Sequence, residues 1–147
     1  MARGFNPLEK FKSLGRVTTP YGGKTEQEAF HPGIDIAAPS GTPIPAPTDG
    51  TVIKADTGHA DGENSFGNTL EIRDPQGEVQ QYHHLQDVMV RQGEQVAAGQ
   101  TVATIGKSGA AYSPSGGDPS NLDMRIVSAY GKYRNPFTYL RSVSKNR

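Results

Sequence analysis

From Ile34 to Ser128 the chain reads as short apolar, β-branched runs of three to seven residues, and almost every gap holds Gly, Pro, Asp or Asn. That alternation constrains the fold more than any other feature. Each run is too short for an ordinary helix, and each gap supplies residues that make tight turns. The runs are Ile34–Ala37, Pro43–Ala46, Gly50–Ala55, Thr69–Arg73, Val79–Leu85, Gln95–Ala97, Thr101–Ile105 and Leu122–Ser128. Their spacing predicts an all-β chain of mostly antiparallel strands, a sandwich or barrel. With 147 residues, the chain has the size of one domain, and its 18 Gly and 11 Pro read as turn residues between strands.

Val90, Gly93, Val96, Gly99 and Val102 alternate at intervals of three. Glycine permits the corners and the valines share one core, a pattern that fits both ordinary hairpins and the bent sheets of a barrel-sandwich. Residues 1–15 read as a helical lead-in, with Pro7 at its start, Leu8, Phe11 and Leu14 on one face, and Gly15 ending it. Residues 16–30 are polar and turn-rich, 106–120 a long loop, and the basic tail 141–147 is expected to fray. Fifteen basic residues balance fifteen acidic ones, which argues against nucleic acid or an anionic membrane as a partner. No apolar run is long enough to span a bilayer, and no secretory signal is visible at the N-terminus. With no cysteine, disulfides and Cys-ligated metals are excluded.

The four histidines can be taken in turn. In His31-Pro-Gly-Ile-Asp35 the Pro-Gly pair forbids a helix, so the chain turns and enters a strand at Ile34. Asp35 then lies on the face opposite Ile34 and Ile36, where it and His31 can share a cation or simply a hydrogen bond. In Tyr82-His83-His84 strict alternation puts Tyr82 and His84 on one face and His83 on the other, so only one of the two histidines can reach a given site. His59, in a polar loop, reads as solvated. In Asn121-Leu122-Asp123-Met124-Arg125-Ile126 an apolar face alternates with three polar residues, the pattern of an exposed strand face.

Several ordered blocks together resemble the lysostaphin-type (LytM-like) zinc endopeptidases, which cleave peptide bonds in peptidoglycan. They are HPGIDIAAPSGTPIPAPTDGTV, FGNTLEI, YHHL, VRQGEQVAAGQTVATIGKSG and NPFTYL, with RVTTPYG upstream. The resemblance covers residues 16–140 and implies the duplicated hybrid motif of a barrel-sandwich. It implies His31 and Asp35 as zinc ligands and His84 as the histidine that assists the metal-bound water. The third block departs. Where the family has His-Leu-His, an aromatic and Glu, this chain has Asn121-Leu122-Asp123, Met124 and Arg125. Asn121 thus stands in for the second catalytic histidine, Asp123 for the third zinc ligand, and Arg125 for an acidic residue.

Asp123 can ligate zinc through oxygen, but a His/Asp/Asp set carries one more negative charge than His/Asp/His. The metal becomes a weaker Lewis acid and the set tilts toward Mn, Mg or Ca, or toward no metal. Asn121 cannot exchange a proton, a loss of about 10²–10⁴-fold where a general acid or base is needed. Two readings follow: a weakly active or inactive structural or cell-wall-binding module, and an active metal-dependent endopeptidase with a His/Asp/Asp site. A lipoyl/biotinyl carrier or phosphotransferase IIA-like domain is disfavoured, because Lys54 and Lys107 lack the bulky neighbours at a hairpin tip that a carrier lysine needs. The expected partners are peptidoglycan or its peptides. Without an export signal, the chain is expected to reach the wall within a virion, as part of a phage tail or baseplate, or to be made in the cytoplasm and act at the wall.

Overall fold

A computed structural model describes residues 4–25, 28–111, 113 and 116–145. Along the chain run α1 (Pro7–Lys12), β1 (Arg16–Thr19), β2 (Ile34–Ala37), β3 (Pro43–Pro45), β4 (Gly50–Asp56), β5 (Asn68–Arg73), β6 (Val79–Val88), β7 (Gln95–Val96), β8 (Thr101–Ile105), β9 (Asn121–Val127), β10 (Tyr133–Arg134) and α2 (Pro136–Lys145). Strand makes up 39% of the described residues and helix 12%, so the all-β expectation stands. The sheet runs β1-β2-β9-β6-β5-β4-β7, with β10 on β9 and β8 bridging β3 to β6. Among the described residues every pairing between these strands is antiparallel.

The core follows the alternation of the strands. Ile34, Ile36, Leu70, Ile72, Leu122, Met124 and Ile126 are fully buried. Val90, Val96 and Val102 join them, and Gly93 and Gly99 make the corners between at φ of 90° and 88°. Beneath β6 lies a buried polar cluster. The Tyr139 hydroxyl donates to Asp74 Oδ2 at 2.6 Å and accepts from Gln80 Nε2 at 2.9 Å, while Tyr82 donates to Gln80 Oε1 at 2.9 Å. Asp74 also accepts from the amides of Gln76 and Glu78, closing the β5–β6 hairpin.

Three expectations need correction. Residues 16–30 are not all turn: Arg16–Thr19 form β1, an edge strand exposed enough that no apolar alternation marks it. The lead-in helix stops at Lys12, capped by Asn6 at one end and Ser13 at the other, before Gly15. Gly15 is instead a close-approach position, where an added Cβ would lie 2.0 Å from the Ala37 carbonyl oxygen. Nor does the tail fray from Arg141, because α2 continues to Lys145 and buries Tyr139 and Leu140. Its Ser144 hydroxyl accepts from the Leu8 amide at 3.0 Å, laying α2 beside α1.

Candidate metal centre and groove

The site is built across three adjacent strands. Asp35 on β2 stands opposite Asp123 on β9, and Asp123 stands opposite His83 on β6. Residues paired this way share a face of the sheet, so register alone gathers them. His31 arrives from the loop before β2, held by reciprocal backbone bonds to the turn at Gly22 and Gly23. Ligand atoms of His31, Asp35 and Asp123 all lie within 4.8 Å of one another.

His31 is buried between two carboxylates, with Nδ1 3.0 Å from Glu28 Oε1 and Nε2 3.1 Å from Asp35 Oδ1. Burial opposes its charge, but Asp35 and then Glu28 outweigh that and raise its pKa to about 9. The Nε2 contact is an ion-pair approach off the hydrogen-bond line, which leaves that nitrogen without a hydrogen-bond partner.

Asp123 is 4% exposed and Arg125 5%, so this face of β9 is buried rather than solvated as its pattern suggested. Arg125 forks onto Asp123, with Nε to Oδ1 at 3.0 Å and an Nη to Oδ2 at 2.9 Å. Burial disfavours the Asp123 charge, and the fork more than compensates, holding the carboxyl below its usual range. The same guanidinium is 3.6 Å from Glu28 and lies 4.8 Å from the centre of the Phe66 ring.

The two histidines of β6 do not obey strict alternation. His84 sits at φ 63°, a left-handed conformation that interrupts the pleat. Its Nδ1–H donates to the Ser108 carbonyl at 2.8 Å, and the residue lines the groove. His83 is not turned to the far face. It lies under the Phe66 ring, stacked at 4.2 Å, with Nδ1 2.9 Å from the Thr69 hydroxyl. Burial pushes its pKa down to about 4, and it does not line the groove. Asn121 lines the groove with its amide tied to the Pro119 carbonyl at 2.8 Å. His59 is not a freely solvated loop residue: it sits between Asp56, at 3.1 Å, and Glu63, which raise its pKa, away from the groove.

The groove has a volume of about 1050 Å³, with walls from β1, the loops carrying Glu28 and Phe66, and parts of 110–120. Glu28 carried no sequence signal, because it sits in a polar, turn-rich loop, and Phe66, though it opens the FGNTLEI block, carried none that marked it as a groove wall. Arg125 did carry one: it lies two residues from Asp123 on a strand, hence on the same face. In position, the three donors suit one small cation, but the proton that Asp35 and Glu28 hold on His31 has to leave before Nε2 can bind it. In charge, the set does not suit a dication while Arg125 holds both oxygens of Asp123.

A β-rich sheet with a His/Asp/Asp cluster lining a groove has the layout of a metallopeptidase-type domain. The chain matches peptidase family M23 over residues 29–136 and belongs to that family. It is 41% identical over 91 residues to the peptidoglycan DD-endopeptidase ShyC of Vibrio cholerae, covering 61% of this chain and 20% of that protein. It is 31% identical over 132 residues to the murein hydrolase activator NlpD of Escherichia coli, covering 89% of this chain and 31% of that protein. The chain therefore spans a fifth to under a third of these relatives' length. Among solved structures it resembles a variant of the catalytic domain of EnpA, a prophage-encoded M23 protein from Enterococcus faecalis. That match has 31% identity and a TM-score of 0.67, and covers 86% of this chain and 92% of the other. With membership in this zinc-dependent family, the carrier reading falls.

Proposed function

We propose that this domain is a peptidoglycan-associated member of family M23 that binds the wall through its groove and hydrolyses it poorly or not at all. The observation that carries this is Asn121. Asn121 lines the same groove as His84, and at the position where the resemblance implies a second proton-transferring histidine it offers an amide that has no proton to exchange. The Asp123–Arg125 pairing points the same way, since it weakens zinc binding, and any cation taken up would be held loosely. NlpD, similar over most of this chain, is named as an activator of murein hydrolases, which supports a non-hydrolytic role. The prophage origin of EnpA favours a virion-borne setting at the wall.

The test uses purified cell walls in two formats. Cosedimentation is expected to retain the protein on the walls, and dye release with added zinc is expected to stay at background. A second reading, an active endopeptidase with a His/Asp/Asp metal site, draws on the 4.8 Å clustering and on the similarity to ShyC. Zinc-dependent dye release by the unaltered protein would establish that second reading and reject the first.

A further inference from the structure

We infer that the Arg125 guanidinium is the resident cation of this site, taking the electrostatic place that a divalent metal holds in zinc-dependent members of the family, so that fold and groove need no metal. Three carboxylates, Glu28, Asp35 and Asp123, face His31 and the space beside it. Asp35 and Glu28 are half-buried with the His31 ring between them, whereas Asp123 is buried and needs a counter-charge of its own. Arg125 supplies one from within the same strand.

The site is shaped for this side chain. Its fork engages both oxygens of Asp123, a bidentate geometry that lysine cannot reproduce. Its stem crosses Gly33, where an added Cβ would meet Arg125 Cγ at 2.7 Å and the Met124 carbonyl oxygen at 2.5 Å. Its planar head lies against the Phe66 face, and Phe66 in turn stacks on His83, which stands opposite Asp123 across β6 and β9. The guanidinium is therefore held by an anion, an aromatic face and a glycine gap, rather than lying loosely in a groove. A metal that took an oxygen of Asp123 would share that carboxylate with a fixed positive charge.

This inference rests on the same altered strand as the proposed function, but it is read through metal response rather than wall lysis. Thermal unfolding is followed in chelator and in excess zinc or manganese. The unaltered protein is expected to melt at the same temperature in both. Arg125→Met removes the charge while keeping much of the volume. It leaves Asp123 buried without its partner, so the midpoint in chelator should fall by roughly 10 °C. Added metal should then restore several degrees, a response the unaltered protein lacks. Arg125→Lys, with one charge and no fork, should fall between the two. Should Arg125→Met fail to fold in chelator, the double variant Asp123→Asn with Arg125→Met removes both charges. It should fold, melt above the single variant and ignore metal. Competition with a chromogenic chelator should show at least tenfold tighter zinc binding by Arg125→Met than by the unaltered protein.

A stoichiometric zinc ion retained by the unaltered protein, or a fall in its midpoint on chelation, overturns the inference. So does an Arg125→Met variant that is destabilised yet blind to metal. Wall lysis by a metal-blind protein would reject the proposed function and leave this inference standing. A zinc-loaded protein that fails to lyse walls would do the reverse.

Discussion

At the scale of single residues, β9 carries most of the argument. Asp123→His gives zinc a neutral imidazole as its third ligand and so should tighten zinc binding, but it strands Arg125 beside that imidazole and leaves Asn121 unable to move a proton. Turnover should stay at background. Asn121→His with Asp123→His restores the proton-transferring group, and adding Arg125→Glu removes the competing charge. Dye release from cell walls in zinc should therefore rise from background only in the double variant and further in the triple. His83 makes a different prediction. Its pKa is lowered from the usual 6.5 to about 4 by burial, so the folded protein holds it neutral. Below pH 6.5 the unfolded chain takes up a proton that the folded chain refuses. Stability is therefore lost as pH falls from about 6.5 to about 4, by about 3 kcal/mol in all, and then levels. Urea unfolding between pH 7 and pH 4 checks this, because His83→Gln should remove that part of the acid slope. Strict alternation separated His83 from Tyr82 correctly but misplaced His84, whose left-handed backbone turns its side chain off the Tyr82 face and into the groove. No sequence pattern announced it, since the residue there is not glycine.

At the scale of elements, the buried cluster under β6 joins pieces that the sequence left unconnected. Tyr139 on α2 bonds Asp74, which also closes the β5–β6 hairpin, and Gln80 on β6. Tyr139→Phe leaves Asp74 and Gln80 each one partner short in a buried setting. It should lower stability by about 1–3 kcal/mol, read as a drop of several degrees in thermal midpoint. Wall binding at low temperature should not change, since Tyr139 does not line the groove. The interior strands were legible because they are buried on their apolar side and bounded by turn residues; β2 and β8 have the bounds expected for them. Edge strand β1 and the two-residue β10 were not, because exposure erases the alternation on which a strand reading depends. The C-terminal helix was missed for a related reason: it holds two serines and a basic end, and its buried side, Pro136, Tyr139 and Leu140, is short.

At the scale of the whole molecule, the core and the groove are separable. Phe11 on α1 is fully buried, while α1 contributes nothing to the groove wall. Phe11→Ala should cost about 3–5 kcal/mol, lowering the thermal midpoint by roughly 10 °C. Cosedimentation with walls well below that midpoint should match the unaltered protein. The convergence of His31, Asp35 and Asp123 was anticipated from the block order, whereas the Arg125 fork depends on burial, which composition does not reveal. The contact between Leu8 and Ser144 has a topological consequence. Because the first helix lies against the last, a short linker could join them and the chain could be opened anew at an exposed turn such as 129–131. A circular permutant of that kind should fold with its groove intact. By the same geometry, the unit can be spliced into a loop of a host protein as a cassette, entering and leaving at nearly one point on the surface.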